Sequence, residues 1–510
     1  MPAAPRSLTR LPLLLLALVL GLGAAASGPF RYAEDQAPAI INPLFTTSMS
    51  ETRVSELMFE SLFTDDQELR TVPQLAESAD IAPDHLSMTV SLRDDARWHD
   101  GQPLTADDVV FTIQAMQDKG TLSTEAGRVA WIKEATAQDS RTVKLSFARA
   151  EASPTEKLYF KILPRHSFGA LPIKRTDSFR TKPVGSGLFR LVRYNDDASI
   201  TLSRFDQHHD PASINEVTLR EVSDKNYQAK LLLYESLEAL VRVLPRDLSS
   251  LQASRKVALY PYQTNSWWYV GFNMARPPYD DQRVREALAD LVDANGLLAP
   301  VGTGDVISGP FVRSSPYYNH NVPDRKPDPE RAAALLTEAG YTRDGQGWSK
   351  AGKPLSLRLT AHKSLETAQE VMINLQSQLG SAGIKVELEF LDDAAWKSQI
   401  WRDRNFDLIL SQWSFDRNED VREQFLSTGT RNFTGYKSPE VDALLERART
   451  TMDPQDKKAA LRALHAKVAA DVPMIFLWTL DSYSAMNARI KGVVVHPFYF
   501  FTWVGDWQTP

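Results

Sequence analysis

The stretches IKVELEFL (Ile384–Leu391) and FDLILSQW (Phe406–Trp413), each preceded by a helical pattern, decide the fold class of this chain. The first alternates apolar and charged residues with a period of two. The second runs Leu-Ile-Leu without interruption, as a strand can. A helix is expected over Glu366–Leu379 before the first stretch, and another between the two. Helix, strand, helix, strand in that order reads as a βαβ half of an open sheet, where ligands sit beyond the carboxyl ends of the strands. The end of the second stretch, Ser411-Gln412-Trp413, is therefore a natural place for a site.

Working outward, SMTVSLR (Ser87–Arg93), ASITLSRF (Ala198–Phe205) and PLSLRLTA (Pro354–Ala361) add further strands rich in β-branched residues. Helices come between them with explicit start signals. Thr105 can cap a helix with Asp108 three residues on, followed by Val109, Phe111, Ile113 and Met116. Asp328 caps a second with Pro329 in its first turn; Leu335, Leu336 and Ala339 form its stripe and Gly340 ends it. Ser438 and Pro439 repeat the device before Val441, Leu444, Leu445 and Ala448. The chain reads as α/β throughout, with mixed sheets and flanking helices.

The amino end places Arg6 and Arg10 before an apolar run, Leu11–Leu20, and then Ala24-Ala25-Ala26. That is the pattern of a secretory leader, residues 1–26, cleaved near Ala26. The apolar run is about ten residues long, whereas a membrane span needs about twenty. The chain has no cysteine, so neither disulfides nor a lipidated amino-terminal cysteine is available. A periplasmic protein that is not a lipoprotein is expected. The net charge of −6 offers no general attraction for nucleic acid or anionic membrane. A mature chain of roughly 480 residues is longer than one hydrophobic core usually serves.

Enzyme signatures are missing from the sequence. It has no G-x-S-x-G, no Walker loop and no dinucleotide fingerprint after a strand. The nine histidines are scattered, and only His208-His209 are adjacent, in the polar turn RFDQHHDP. His99-Asp100-Gly101 reads as a turn before the Thr105-capped helix rather than as an acid–base pair. No catalytic residue, metal site or cofactor is expected.

The segment Leu92–Met116, LRDDARWHDGQPLTADDVVFTIQAM, resembles the signature of family 5 extracellular solute-binding proteins, the receptors of peptide, dipeptide and nickel ABC importers. TVPQLAES (Thr71–Ser78), PVGSGLFRL (Pro183–Leu191), FNMARPPYDDQRVREAL (Phe272–Leu288), DPERAAALLTEAGY, GYKSPEVDALLERA and VPMIFL (Val472–Leu477) resemble further blocks of that family, in order. The resemblance implies a bilobal periplasmic binding protein of class II with three domains. Domain I would comprise 27–65, 177–265 and 479–510, domain II 66–176, and domain III 266–478. The chain would be a monomer that captures a peptide or peptide-like solute and delivers it to an inner-membrane ABC permease and its ATPase complex, without inserting into the membrane. Rival cargoes are a metal chelate, an opine or a glycoside. A ligand sensor or periplasmic chaperone on the same fold is the non-transport alternative.

The resemblance also implies the ligand contacts. Trp413 and Asp416 match a Trp-x-x-Asp in which the carboxylate receives the ligand's α-amino group, since an unpaired buried charge costs several kcal/mol. Trp267, Trp268, Trp396 and Trp413 fall where the family places aromatics along its cleft. The segment after Asn42-Pro43 resembles a cleft-lining strand, making Thr47 and Met49 candidate backbone partners. Arg404, with Arg402 as rival, is the candidate for a ligand carboxylate. The chain departs from the peptide receptors at Gln412, where they carry Gly, at Glu419-Asp420, and at Glu235-Ser236-Leu237-Glu238. These departures bear on the ligand rather than on the fold.

Overall fold

The computed structural model describes residues 28–195, 199–365, 367–415 and 417–510. The expected leader and Asp416 lie outside the described residues. No helix of the described residues is long and apolar enough to cross a membrane.

The local signals become the expected elements. The Thr105 and Asp108 pair forms a reciprocal capping box at the start of Ala106–Gln117. Asp328 accepts the Arg331 amide ahead of Pro329–Glu338, and Ser438 accepts the Val441 amide ahead of Pro439–Thr450. The βαβ reading holds as well. Strands Ser356–His362 and Lys385–Leu391 run parallel across the helix Ala368–Ser381, and Leu408–Ser414 runs parallel to the first of them. Between Lys385–Leu391 and Leu408–Ser414 the helix is short: one turn, Asp393–Trp396, continued by a π-helical turn, Lys397–Arg402.

Three larger sheets organise the described residues. An eight-stranded sheet draws on Phe30–Glu34, on strands between 189 and 263, on Gly304–Val306 and on Trp478–Asn487. A four-stranded antiparallel sheet uses only strands between 76 and 147. A five-stranded mixed sheet orders Lys385–Leu391, Ser356–His362, Leu408–Ser414, Ser266–Phe272 and Met474–Phe476. This last sheet is covered on both faces, which explains the uninterrupted Leu408-Ile409-Leu410 run. Leu408 and Leu410 join one core with Trp268, Val270 and Phe272. Ile409 joins a second core with Trp267 and Tyr269.

One segment differs from expectation. The stretch after Asn42-Pro43 is not a strand: Pro43–Phe45 is a 3-10 turn and Met49–Met58 an α-helix. The reason is local. Ser48 and Glu51 form a capping box that starts a helix at Met49, and Asn42 caps the turn before it.

The His99-Asp100-Gly101 stretch is a structural turn. Gly101 adopts a φ of +86°, which a side chain would strain. His99 Nδ1 accepts the Gly185 amide at 3.1 Å, and Nε2 lies 3.0 Å from the Gly187 carbonyl. A neutral ring with its proton on Nε2 satisfies both partners. Burial pushes the His99 pKa down to about 4, so the neutral form is kept.

Candidate functional site

The strand Leu408–Ser414 pairs antiparallel with Ser266–Phe272, setting Trp413 opposite Trp267 and Ser414 opposite Ser266. The chain leaves this sheet after Ser414, and the Phe415 amide donates to the Asn265 carbonyl at 2.8 Å. The loop then reaches over to distant segments. Arg417 Nη2 donates to Thr71 Oγ1 at 2.7 Å and lies 2.7 Å from Asp65 Oδ1. The second contact is a charge contact rather than an aligned hydrogen bond, since Oδ1 has no hydrogen-bond partner. Asn418 Nδ2 donates to the Tyr159 hydroxyl at 3.4 Å.

Beneath this crossing lies a cavity of about 520 Å³. Its walls come from the strands Phe63–Asp65 and Thr71–Pro73, from Tyr159 and Lys161, from the His208–Asp210 turn, from Tyr499 to Asp506, and from Arg417. A smaller cavity of about 90 Å³ adjoins it through Glu56, Tyr159, Lys161 and Tyr499, and adds Thr46 and Arg128. The Arg128 and Arg417 guanidiniums lie 4.6 and 5.5 Å from the Tyr159 ring centroid. Asp65 Oδ2 meets His496 Nε2 at 3.2 Å. His496 Nδ1 in turn accepts the Phe498 and Tyr499 amides at 3.0 Å each.

Both signs of charge face this space. Glu56 is half-buried, and desolvation pushes its pKa up to about 7, although it accepts the Phe501 amide at 2.9 Å. Its other oxygen has no hydrogen-bond partner among the described residues. Burial holds the Lys161 pKa below the ordinary lysine value, with Glu56 and Glu60 as opposing charges. On the far wall Glu60 Oε1 is approached by two imidazoles, His208 Nε2 at 3.3 Å and His209 Nε2 at 2.8 Å. The histidine pair that reads as a polar turn in the sequence is therefore joined by a carboxylate 149 positions away from His209.

The residues expected at the site from the sequence are not gathered in one place. Trp413 is half-buried, stacked between Tyr269 (6.3 Å, 4°) and Phe433 (5.7 Å, 9°). Arg404 extends this column, its guanidinium 4.3 Å from the Phe433 ring. Arg404 donates to the Thr430 carbonyl at 3.3 Å, and its Nη1 is buried without a hydrogen-bond partner among the described residues. Burial lowers its pKa from the usual arginine value. Arg402 is exposed and already paired, with Asp403 at 2.7 Å and with Ser398.

Trp396 is half-buried, edge-on to His362 at 5.5 Å. Trp267 and Trp268 are both buried, at 1% and 3% exposure. Trp267 stacks on Phe415 and Phe425, and Trp268 on Trp478. The Thr47 amide is engaged by Glu51 Oε2 at 2.7 Å, and Met49 is an exposed first residue of its helix. A roomier depression of about 710 Å³ runs along His362–Asn374 to Phe390. It is walled by one strand–helix–strand unit alone, and none of the residues expected at the site lines it.

Sequence reasoning identified the loop after Trp413 but not Arg417, and it missed Glu56, Glu60, Asp65, Tyr159 and Lys161. No spacing signal marks them, because they converge only through sheet packing.

Comparison with known proteins accounts for this architecture. A family profile described as bacterial extracellular solute-binding proteins, family 5 middle, matches residues 70–433. The oligopeptide-binding protein AppA of Bacillus subtilis is 25% identical over 482 residues, covering 90% of this chain and 88% of its own. The glutathione-binding protein GsiB of Pectobacterium atrosepticum is 25% identical over 470 residues, covering 89% of each chain. The solved structure of the ABC transporter substrate-binding protein CtaP from Listeria monocytogenes superposes with a TM-score of 0.84 at 22% identity. That match covers 95% of this chain and 100% of CtaP. The family is one of binding proteins rather than enzymes, and the chain described here belongs to family 5 of the bacterial extracellular solute-binding proteins.

Proposed function

We propose that this solute-binding protein captures a peptide or peptide-like solute in the cavity beneath Arg417 and delivers it to an inner-membrane ABC permease and its ATPase complex. One observation carries the reading. The cavity of about 520 Å³ is walled by segments far apart in the chain, and it presents carboxylates (Glu56, Asp506) together with cations (Arg93, Lys161, Arg417). A zwitterionic solute needs both signs once it is removed from water. The printed functions of AppA and GsiB, oligopeptide and glutathione binding, support a cargo of this class.

In this reading the chain has three domains, divided as the resemblance implies. The sheets support the division, since the eight-stranded sheet draws mainly on the amino-terminal, middle and carboxyl-terminal segments assigned to domain I. Capture begins on one lobe, and closure adds contacts made only in the closed state. Asp416, next to Arg417 in the chain, receives the ammonium group; Arg404 and Arg402 lie outside the lining of this cavity, so Lys161 and Arg93 on its wall meet the carboxylate. After cleavage near Ala26 the protein resides free in the periplasm as a monomer.

The test is native mass spectrometry of the purified protein, followed by tryptophan-fluorescence titration of the released solute against wild type and Asp416→Ala. A peptide-like amine whose binding weakens about 100-fold in the variant, near the cost of an unpaired charge, is the expected outcome. A solute without a cationic group, or equal binding by the variant, overturns the peptide assignment.

A further inference from the structure

We propose that Glu60, His208 and His209 form a binding site for one divalent transition-metal ion of the zinc class, open on one side to the cavity beneath Arg417. The inference stands on the convergence of these three side chains and is independent of which solute the cavity takes.

One donor atom from each of Glu60, His208 and His209 lies within 4.8 Å of the other two. The two nitrogen-to-oxygen separations are 3.3 and 2.8 Å. A tetrahedral ion with bonds of about 2.0–2.1 Å needs neighbouring donors roughly 3.3 Å apart. Of the two nitrogen–oxygen edges, one already has the required length and the other needs a shift of about half an ångström. Two imidazoles and one carboxylate form a donor set that suits zinc, with nickel and copper as chemical competitors.

The site is also built. Glu60 and His208 side chains are each 5% exposed and His209 is 11% exposed. The two rings lie 4.0 Å apart at 32°, and both Nε2 atoms approach the same Glu60 oxygen. His208 Nδ1 is held by the Asp210 backbone, 2.8 Å from its carbonyl and 3.0 Å from its amide nitrogen. This backbone anchoring orients the ring, as the outer partner of a metal-bound histidine does. Yet His208 Nε2 is buried without a hydrogen-bond partner among the described residues. Glu60 Oε1 can accept two N–H bonds, so without a metal both rings must carry their proton on Nε2 and both must align on one oxygen. A cation between the three atoms replaces both protons and engages all three at once.

Position gives the site its use. Glu60, His208 and His209 all line the cavity. Three protein ligands leave at least one coordination position, and that position faces the cavity. A donor atom of a solute, such as a carboxylate or an amine, can take it. Arg93, held by Asp95 at 2.5 Å, and Lys161 share the cavity wall and oppose the ion's charge, so the pair of histidines must outweigh them.

The experiment uses chelator-treated purified protein with Zn²⁺ alone, and no solute, in isothermal titration calorimetry. Co²⁺ serves as a spectroscopic probe in visible absorption. Wild type is expected to take up one equivalent with micromolar or tighter affinity, to show the intense visible bands of low-coordinate Co²⁺, and to gain thermal stability with the metal. His208→Asn/His209→Asn lowers that affinity by more than about 100-fold and removes the Co²⁺ bands. His209→Asn alone, at the more exposed ligand, gives the same direction if the double variant fails to fold. Absence of stoichiometric binding by wild type overturns the proposal. So does one-to-one binding that the variants leave unchanged, because the ion then sits elsewhere.

Discussion

Arg417 and Asp65 meet at 2.7 Å with side-chain exposures of only 12% and 4%, and this contact ties the loop after Leu408–Ser414 to the strand Phe63–Asp65. Removing one partner of a buried pair leaves an uncompensated charge and costs about 3–5 kcal/mol, whereas removing both need not. Arg417→Ala is therefore expected to destabilise the protein by about 3 kcal/mol, while Asp65→Asn/Arg417→Met recovers most of that loss. Urea unfolding followed by circular dichroism compares the three. Equal stability of the single variant and wild type would show that the crossing is dispensable.

Two residues further along, Glu419 is buried, and desolvation pushes its pKa up to about 7. A carboxyl whose folded pKa exceeds its unfolded value binds more protons when folded. Its stabilising contribution is complete below about pH 4.5 and is lost as pH rises through about 7. The loss is on the order of 3 kcal/mol at most. Glu419→Gln is expected to flatten the stability profile between pH 5 and pH 8, measured as the shift of the urea midpoint. A slope identical to that of wild type would place the titration on another group.

The stack Tyr269–Trp413–Phe433 has interplanar angles of 4° and 9°, and each such pair contributes about 0.5–1.5 kcal/mol beyond the area it buries. Trp413→Ala removes both pairs and lets the Arg404–Phe433 contact relax. Trp413→Ala is expected to destabilise the protein by about 3 kcal/mol, with Trp413→Phe in between. Urea unfolding followed by circular dichroism measures it, and a midpoint equal to that of wild type would show that the column contributes nothing to folding.

A β-carbon on Gly185 would lie 1.8 Å from the Met58 carbonyl oxygen, a backbone atom that cannot step aside. Gly185 also exchanges two hydrogen bonds with His99, its amide to Nδ1 and its carbonyl to the His99 amide at 2.7 Å. Gly185→Ala is expected to cost about 3 kcal/mol or more, through overpacking and the loss of these bonds. Thermal unfolding followed by circular dichroism reads this directly. A melting temperature equal to that of wild type would mean that the backbone relaxes freely here.

The elements and their order were legible in the chain because they depend on neighbours. Capping at Thr105, Asp328 and Ser438 works within three or four residues, and the two-residue period of Ile384–Leu391 needs only its own side chains. The stretch after Asn42-Pro43 was misread as a strand, although its own capping residues, Ser48 and Glu51, specify a helix.

What the sequence by itself determined is the α/β class, the family and the loop after Trp413 as a place of interest. Only the tertiary structure decided which side chains meet. It buries Trp267 and Trp268 in two different cores because adjacent strand residues point to opposite faces. It brings Arg417 to Thr71 across 346 positions and Glu60 to His209 across 149. Such meetings leave no periodicity in the chain, since they arise from how separately folded sheets pack, and packing is set by the sum of many weak contacts rather than by any local pattern.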